Sequence, residues 1–430
     1  MERRISKILI TNAVALNGGD AAILQSTIAI LRRRFGENVR FEVYDMAASA
    51  SGRYYPQLSI KQDLYSRVRD WAGTRIRPAA AALFLIAAAK LRHVPLLGGV
   101  LSGCLPAGLQ RILADYDEAD IVVSSGGTYL VPHYALAGKL LDFLVTEALG
   151  KPLVLFTQSL GPFPPARERT LLRHALRRAG LILVRDERSR THLAELGVAS
   201  ERVRVCADAA FALAPSDLAG RSFPPTRRPW NIAISVRDWP HFSGGASDVG
   251  MERYFASVAR LAADLIEQHG AMITFISTCQ GAPEYWTDDA RTAEEIVKRL
   301  PADIRPYALV DRHFRRPAEI IARLKEFDLT VATRMHAAIL SLCAGTPVLP
   351  ISYEFKTTEL FRRFGLGDAV IEIEHIDPES VLKAFDKASV FWTEHSDEAW
   401  ATVREQRSSA FHAGDLVGHM LDADRAAALR

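Results

Sequence analysis

The sequence predicts an α/β protein built of two Rossmann-like, doubly wound domains facing a cleft. Three observations carry that expectation. Short apolar strand patterns alternate with helical ones in both halves, the pattern of parallel βαβ units. A break rich in proline and glycine, Pro215 to Trp230, separates two such series. The 430 residues exceed what one ordinary core holds.

In chain order, Lys7 to Asn12 reads as a strand and Asp20 to Phe35 as a helix with apolar residues at helical spacing. Phe41 to Tyr44, Ile121 to Ser124, Leu153 to Thr157 and Leu181 to Val184 read as short buried strands, with helices around 105–115, 133–149, 166–178 and 187–196. After the break come strand Ile232 to Val236, helix 250–268, strand Ile273 to Ser277, helix 288–300 and strand Tyr307 to Val310. Helix 317–325, strand 328–332, helix 334–344 and strand 348–352 complete the second series. The expected organisation is a domain over 1–214, a linker over 215–230, a second domain over 231–395 and a helical tail over 396–430 that packs back across the first domain. In such a fold a ligand sits at the carboxyl edges of the sheets.

Composition narrows the function. Hydrophobic residues at 49% and charged residues at 24% are those of a globular protein, and a net charge of +3 argues against nucleic-acid binding. Cys104, Cys206, Cys279 and Cys343 are widely separated and form no CxxC or CxxH pair. That excludes a disulfide framework and a clear zinc site, and a reducing cytoplasm fits. The N-terminus has no signal-peptide core. The longest apolar run, Ala79 to Ala89, falls short of the roughly 20 residues that span a bilayer. Before it, Lys61 to Arg77 carries five basic residues against Asp63 and Asp70. Region 61–105 therefore reads either as an Ala-rich core helix with a solvated flank or as a peripheral membrane element.

The most informative stretch is Arg334 to Lys356. After an apolar strand, Thr333 is placed to cap a helix whose first turn carries Arg334 and His336. A cation, an imidazole and free backbone N–H groups at one helix start suit a phosphate or carboxylate with a proton donor beside it. Lys356 follows the next strand, on the same edge in a parallel sheet. Arg237 ends the first strand of the second series, where a guanidinium holds a carboxylate or joins a surface ion pair. Arg185 opens a helix, where the dipole disfavours a cation and an anion beside it would repair the conflict. Asn17-Gly18-Gly19-Asp20 is either a turn whose cap is Asp20 or a loop admitting a ligand to the backbone. Ser124-Ser125-Gly126-Gly127-Thr128 and Gln158-Ser159-Leu160-Gly161-Pro162, each after a strand, carry the same two readings as βα turns or ligand loops.

Together these segments resemble the polysaccharide pyruvyl transferase family. The resemblance rests on Asn-Gly-Gly-Asp, the Gly-Gly pair, Gln-Ser-Leu-Gly-Pro, Arg-Asp-x-x-Ser ahead of Leu196-Gly197, and Arg-x-His with Gly-x-Pro and Tyr-x-x-Lys. They occur in order from about residue 7 to 375, with 50–115 as a family-variable insertion. The resemblance implies a fold like the two-domain glycosyltransferase type B, with an acceptor-side first domain and a donor-side second. It implies transfer of the pyruvyl group of phosphoenolpyruvate to two hydroxyls of a glycan sugar, forming a ketal and releasing phosphate in cell-surface or exopolysaccharide synthesis. Carried over by position, His336, Arg334 and Lys356 are catalytic. Arg185, Arg237, Arg334 and Lys356 bind the donor. Asn17, Gly18, Gly19, Asp20, Gly126, Gly127 and Gln158 belong to acceptor-side or cleft loops. No cofactor or metal is implied beyond phosphoenolpyruvate as co-substrate. The acceptor is a glycan or lipid-linked oligosaccharide, and the place is the cytoplasm or the inner membrane face. The rival readings are a nucleotide-sugar glycosyltransferase of the same fold and a non-catalytic sugar- or phosphate-binding protein.

Overall fold

The computed structural model describes residues 5–73, 77–131, 135–163, 166–242 and 247–428. Thr74 to Ile76 of the basic stretch, and His133 and Tyr134 at the start of the expected helix 133–149, lie outside the described residues. The chain forms two compact units. One comprises Met1–Ala15, Ile23–Ala209 and Ser409–Arg430, and the other comprises Leu16–Ala22 and Ala210–Ser408.

The first unit is built on strands β1 (Lys7–Ala13), β2 (Arg40–Asp45), β3 (Ser59–Gln62), β4 (Ile121–Ser124), β5 (Gly127–Leu130), β6 (Leu153–Leu160), β7 (Leu181–Val184) and β8 (Val203–Val205). Their order is β3-β2-β1-β4-β6-β7-β8, with β5 beside β6. Every pairing is parallel. Helices cover both faces of such a sheet, so its strands read as unbroken apolar runs, as in Ile8-Leu9-Ile10 and Ile121-Val122-Val123, all fully buried.

The second unit carries β9 (Asn231–Ser235), β10 (Met272–Phe275), β11 (Ala308–Val310), β12 (Leu329–Ala332), β13 (Val348–Ser352) and β14 (Ile371–Glu372). They lie in the order β11-β10-β9-β12-β13-β14, again all parallel. The order reverses between β9 and β12. The carboxyl ends of those two strands therefore open the crevice where doubly wound sheets take their ligands.

The boundaries differ from those read in the sequence. Residues 215–230 are irregular but docked on the second unit. The Phe223 ring meets Trp230 at 5.2 Å and Phe385 at 5.9 Å, and Arg221 donates its backbone N–H to Gly345 at 3.0 Å. Pro and Gly remove periodicity there, while the two aromatics still bury. The long terminal helix Ser396–Ala428 changes unit partway along. Segment 50–115 contributes to the first core. Leu64, Val68, Ala81, Leu85 and Leu109 are buried in one cluster with Leu9 and Val122. The short strands β3, β5, β8 and β14 lack the unbroken apolar run that marks β4 and β7.

The first core also holds an ionisable group. Asp142 is buried and accepts a hydrogen bond from the Tyr116 hydroxyl at 2.8 Å. Loss of hydration raises its carboxyl to about 7, with nearby Asp63 adding to the effect. An acid raised on folding holds its proton in the native state while the unfolded chain has lost it. Stability therefore falls as pH rises from about 4 toward 7. Asp142→Asn, which mimics the protonated acid, is expected to stabilise the protein at pH 8 by on the order of 2–4 kcal/mol, with the gain shrinking toward pH 5. Thermal melts of both proteins across that range check it. An equal gain at both ends of the range contradicts it.

Candidate active site

The second unit assembles four strand ends. β12 is fully buried, and Thr333 continues its pairing by donating its backbone N–H to Ser235 at 2.8 Å. The sequence reading placed Thr333 as the cap of the next helix. The Thr333 hydroxyl instead bonds the buried Tyr254 hydroxyl at 2.8 Å, and Arg334, in extended conformation, takes the capping position ahead of helix Met335–Cys343. Arg334 thus sits one residue outside the helix and His336 is its second residue.

Arg334 does not stand as a free phosphate clamp. Its Nε and one terminal nitrogen donate to the two oxygens of Asp289 at 2.9 and 2.6 Å, in a paired fork. Asp289, 1% exposed, opens helix Asp289–Val297, while Asp288 beside it supplies the cap. Burial alone disfavours a charged Arg334. The Asp289 carboxylate outweighs that and holds the guanidinium well above its ordinary value. Asp289 also accepts from the Ser277 hydroxyl. That bond takes the one hydroxyl hydrogen of Ser277, so Ser235 Oγ is the donor in its 3.0 Å contact with Ser277 Oγ. The chain Ser235–Ser277–Asp289–Arg334 ties together the ends of β9, β10 and β12. Three N–H groups of Arg334 remain beyond the fork.

Arg237 follows β9. Its guanidinium carbon lies 4.0 Å from the centroid of the Tyr353 ring and 4.9 Å from that of Trp239, whose ring lies 4.8 Å from that of Tyr353. Two π faces and the Asp238 carbonyl, which accepts from Nε at 3.1 Å, hold the guanidinium in place and leave its terminal N–H groups for an anion. Among the described residues, no carboxylate forms an ion pair with Arg237. The buried Trp239 indole N–H likewise has no hydrogen-bond partner among them. Lys356, in helix Phe355–Arg363, lies 5.6 Å from the Tyr353 ring centroid and pairs with Glu354. Tyr353 also lies within electrostatic range of Arg334. One tyrosine is therefore shared by three cations from three strand ends.

Asn17 to Asp20 packs into this same unit, not with the first domain where the sequence reading put it. Gly18 donates its N–H to the Thr278 carbonyl at 2.7 Å. A Cβ at Gly19 would stand 2.7 Å from the Cβ and Nδ1 of His336, so only glycine admits the imidazole there. The helix cap is Asn17, whose side-chain oxygen accepts from Gly19 N–H at 2.9 Å. Asp20 falls in the first turn, within range of Tyr285 and Cys279. Cys279 is fully buried, and burial pushes its thiol up to about 12, which keeps it protonated and rules it out as a nucleophile at neutral pH.

The first-unit candidates are built into framework. Arg185 is buried. It donates to Ser159 Oγ at 2.8 Å and Thr128 Oγ1 at 2.8 Å and pairs with the buried Asp208. The anion that settles a cation at this helix start is Asp208, so the donor-binding role expected of Arg185 has no support in its contacts. Gln158 lies inside β6, which runs past the expected end. Its amide is bonded to Ser125 O at 3.0 Å and to Tyr129. A Cβ at Gly126 would lie 2.8 Å from the Phe156 carbonyl, so packing accounts for that glycine. The segment after it is strand β5 instead of a helix start, with Gly127 at φ +143° and paired with Gln158.

The structure thus gathers Asn17, Gly18, Gly19, Asp20, Arg237, Arg334, His336 and Lys356 in one unit and leaves Arg185, Gly126, Gly127 and Gln158 in the other. Sequence reasoning assigned no role to Asp289, Trp239 or Tyr353. Asp289 carried one signal, as the second of two adjacent acids at a helix start that needs only one cap.

Comparisons with known proteins bear on the family and the fold. The family model described as polysaccharide pyruvyl transferase matches residues 17–354. The amylovoran biosynthesis protein AmsJ of Erwinia amylovora is 22% identical over 426 residues, covering 97% of this chain and 98% of that one. Among solved structures, HepE of Anabaena in complex with UDP-glucose aligns with a TM-score of 0.55 at 14% identity, over 97% of this chain and 99% of that one. UDP-GlcNAc 2-epimerase of Neisseria meningitidis bound to UDP-GlcNAc aligns with a TM-score of 0.55 at 10% identity, over 96% and 99%. Those likenesses place the fold in the two-domain glycosyltransferase type B class. With four-fifths of the chain inside the family model, and with its Arg-x-His and Tyr-x-x-Lys segments at the carboxyl edge of one sheet, the chain belongs to the polysaccharide pyruvyl transferase family.

Proposed function

We propose that the protein moves the pyruvyl group of phosphoenolpyruvate onto two hydroxyls of one glycan sugar, forming a ketal and releasing phosphate. The observation that supports this most is the grouping of Arg237, Lys356 and Arg334 about Tyr353, with His336 in the adjoining helix turn. The donor carries a carboxylate and a phosphate, and such a cluster neutralises both. Arg237 is the carboxylate ligand, with the Trp239 indole N–H beside it. The outward N–H groups of Arg334, Lys356 and the helix start take the phosphate.

His336 gives a proton to the donor's methylene carbon, which becomes a methyl group, and the first sugar hydroxyl adds to the adjacent carbon as its own proton leaves. The second hydroxyl then displaces phosphate at that carbon and passes its proton to the departing phosphate. One C–O bond forms, the C–O bond to phosphate breaks, and phosphate departs with its electron pair. A glycan acceptor fits the relative named for amylovoran biosynthesis.

The experiment is phosphate release from phosphoenolpyruvate by purified protein over a panel of glycan acceptors, with UDP-glucose as rival donor and thermal shift as the binding readout. Acceptor-dependent release, with stabilisation by phosphoenolpyruvate that Arg237→Ala removes, is expected. Stabilisation by the nucleotide sugar alone would move the assignment to a glycosyltransferase. Stabilisation by either donor with no turnover on any acceptor would favour a binding protein.

A further inference from the structure

We propose that the first unit docks on an anionic lipid surface through the outer stripe of helix Pro78–Lys90, the turn His93–Leu96 and helix Leu97–Gly103. Helix Pro78–Lys90 has no polar residue before Lys90. Its inner side, Ala81, Leu85, Ala88 and Ala89, is buried in the core. Its outer side, Ala79, Ala80, Leu83 and Ala87, is exposed and equally apolar, with Leu83 68% exposed. A helix apolar all round normally has protein or lipid on every side. The chain then turns through Val94, Leu96, Leu97 and Val100, all exposed. Leu96, 88% exposed, sits at φ +66°, a backbone conformation that side chains bearing a Cβ avoid. A strained backbone that holds a leucine out in water points to a use outside the unit.

Charge identifies the occupant. Between Asp70 and Asp115 the sequence has no acidic residue and five basic ones, Arg75, Arg77, Lys90, Arg92 and Arg111. Arg75 lies outside the described residues. Arg92 and His93 pair with Asp117 at 3.0 and 3.2 Å, leaving Arg77 and Lys90 as exposed cations at the two ends of the apolar helix. Exposed leucine and valine flanked by Arg77 and Lys90, with Asp117 already paired to Arg92, match an anionic bilayer interface, where apolar burial and lipid charge act together. Among the described residues no helix is long and apolar enough to cross a membrane, so the contact is peripheral. The inference does not depend on the reaction proposed above.

The test is cosedimentation of the full chain with vesicles of equal parts phosphatidylglycerol and phosphatidylcholine, against pure phosphatidylcholine. An environment-sensitive dye on Cys104, exposed while the other three cysteines are buried, gives a second readout. Binding to the anionic vesicles, weakened by salt, and a blue shift of the dye are expected. Leu96→Asp with Val100→Asp should lower partitioning at least about tenfold, and Lys90→Glu by about fivefold. Leu96→Gly relieves the backbone, so it should keep or raise the melting temperature while weakening binding. Equal sedimentation with and without anionic lipid overturns the proposal, as does wild-type binding by the Leu96/Val100 variant. A concentration-dependent oligomer that the same variant dissociates, without vesicle binding, assigns the face to a second copy of the chain and also overturns it.

Discussion

Asp289→Ala is expected to cost about 3–5 kcal/mol of stability, the loss found when one member of a buried ion pair is removed. Asp289 is 1% exposed and Arg334 12% in its side chain, so neither water nor another carboxylate of the described residues replaces the missing partner. The melting temperature should fall by about 10 °C on the scale of a unit this size. Asp289→Asn keeps one acceptor and should lose less. A double change, Asp289→Leu with Arg334→Met, removes both charges together and should recover most of the stability. It should recover none of the activity, because the outward N–H groups of Arg334 are gone. That contrast separates holding Arg334 in place from holding the fold together. A loss under about 1 kcal/mol for Asp289→Ala, measured by calorimetry, contradicts the pairing.

His336→Ala is expected to lower kcat by about 10²–10⁴-fold with a smaller change in donor affinity, the range for removal of a positioned acid–base group. His336 stands in the first turn of a helix whose cap is Arg334, and Gly19 rests against its ring. Gly19→Ala keeps the imidazole but forces it or the Asn17–Asp20 turn to move, so a lesser loss in kcat is expected from that variant. Steady-state rates of both variants on the same acceptor check the pair of expectations. A loss below tenfold for His336→Ala removes its assigned role.

The strands that position these groups were legible because buried parallel strands are nearly continuous apolar runs, and β4, β7 and β13 begin and end where that pattern says. The site was legible in part for the same reason. Arg237, Arg334 and Lys356 each follow such a strand, and in a parallel sheet every strand end lies on one edge. What the pattern does not carry is which strands are neighbours. β9 lies beside β12, with Ile234 opposite Val331, although nearly a hundred residues separate them. Only that adjacency brings Asp289, which opens the helix after β10, onto Arg334. Taken alone, Asp289 is an ordinary acid at a helix start, where the dipole already explains it. The same blindness misplaced Arg185. A cation at a helix start asks for an anion, but the sequence does not say whether a ligand or Asp208 supplies it. Asn17 to Asp20 was assigned to the wrong unit because β1 before it and most of the helix after it belong to the first, while its contacts, Thr278 and His336, belong to the second.

The central claim, ketal transfer from phosphoenolpyruvate at the Arg237–Arg334–His336–Lys356 site, is tested most directly by the mass of the glycan product formed in D2O. The account predicts that the acceptor gains one pyruvate less one water and that its new methyl group carries one deuterium from solvent. It further predicts that the His336→Ala variant forms far less of this product. A product heavier by a sugar residue, or a pyruvyl product with no deuterium in its methyl group, would contradict it.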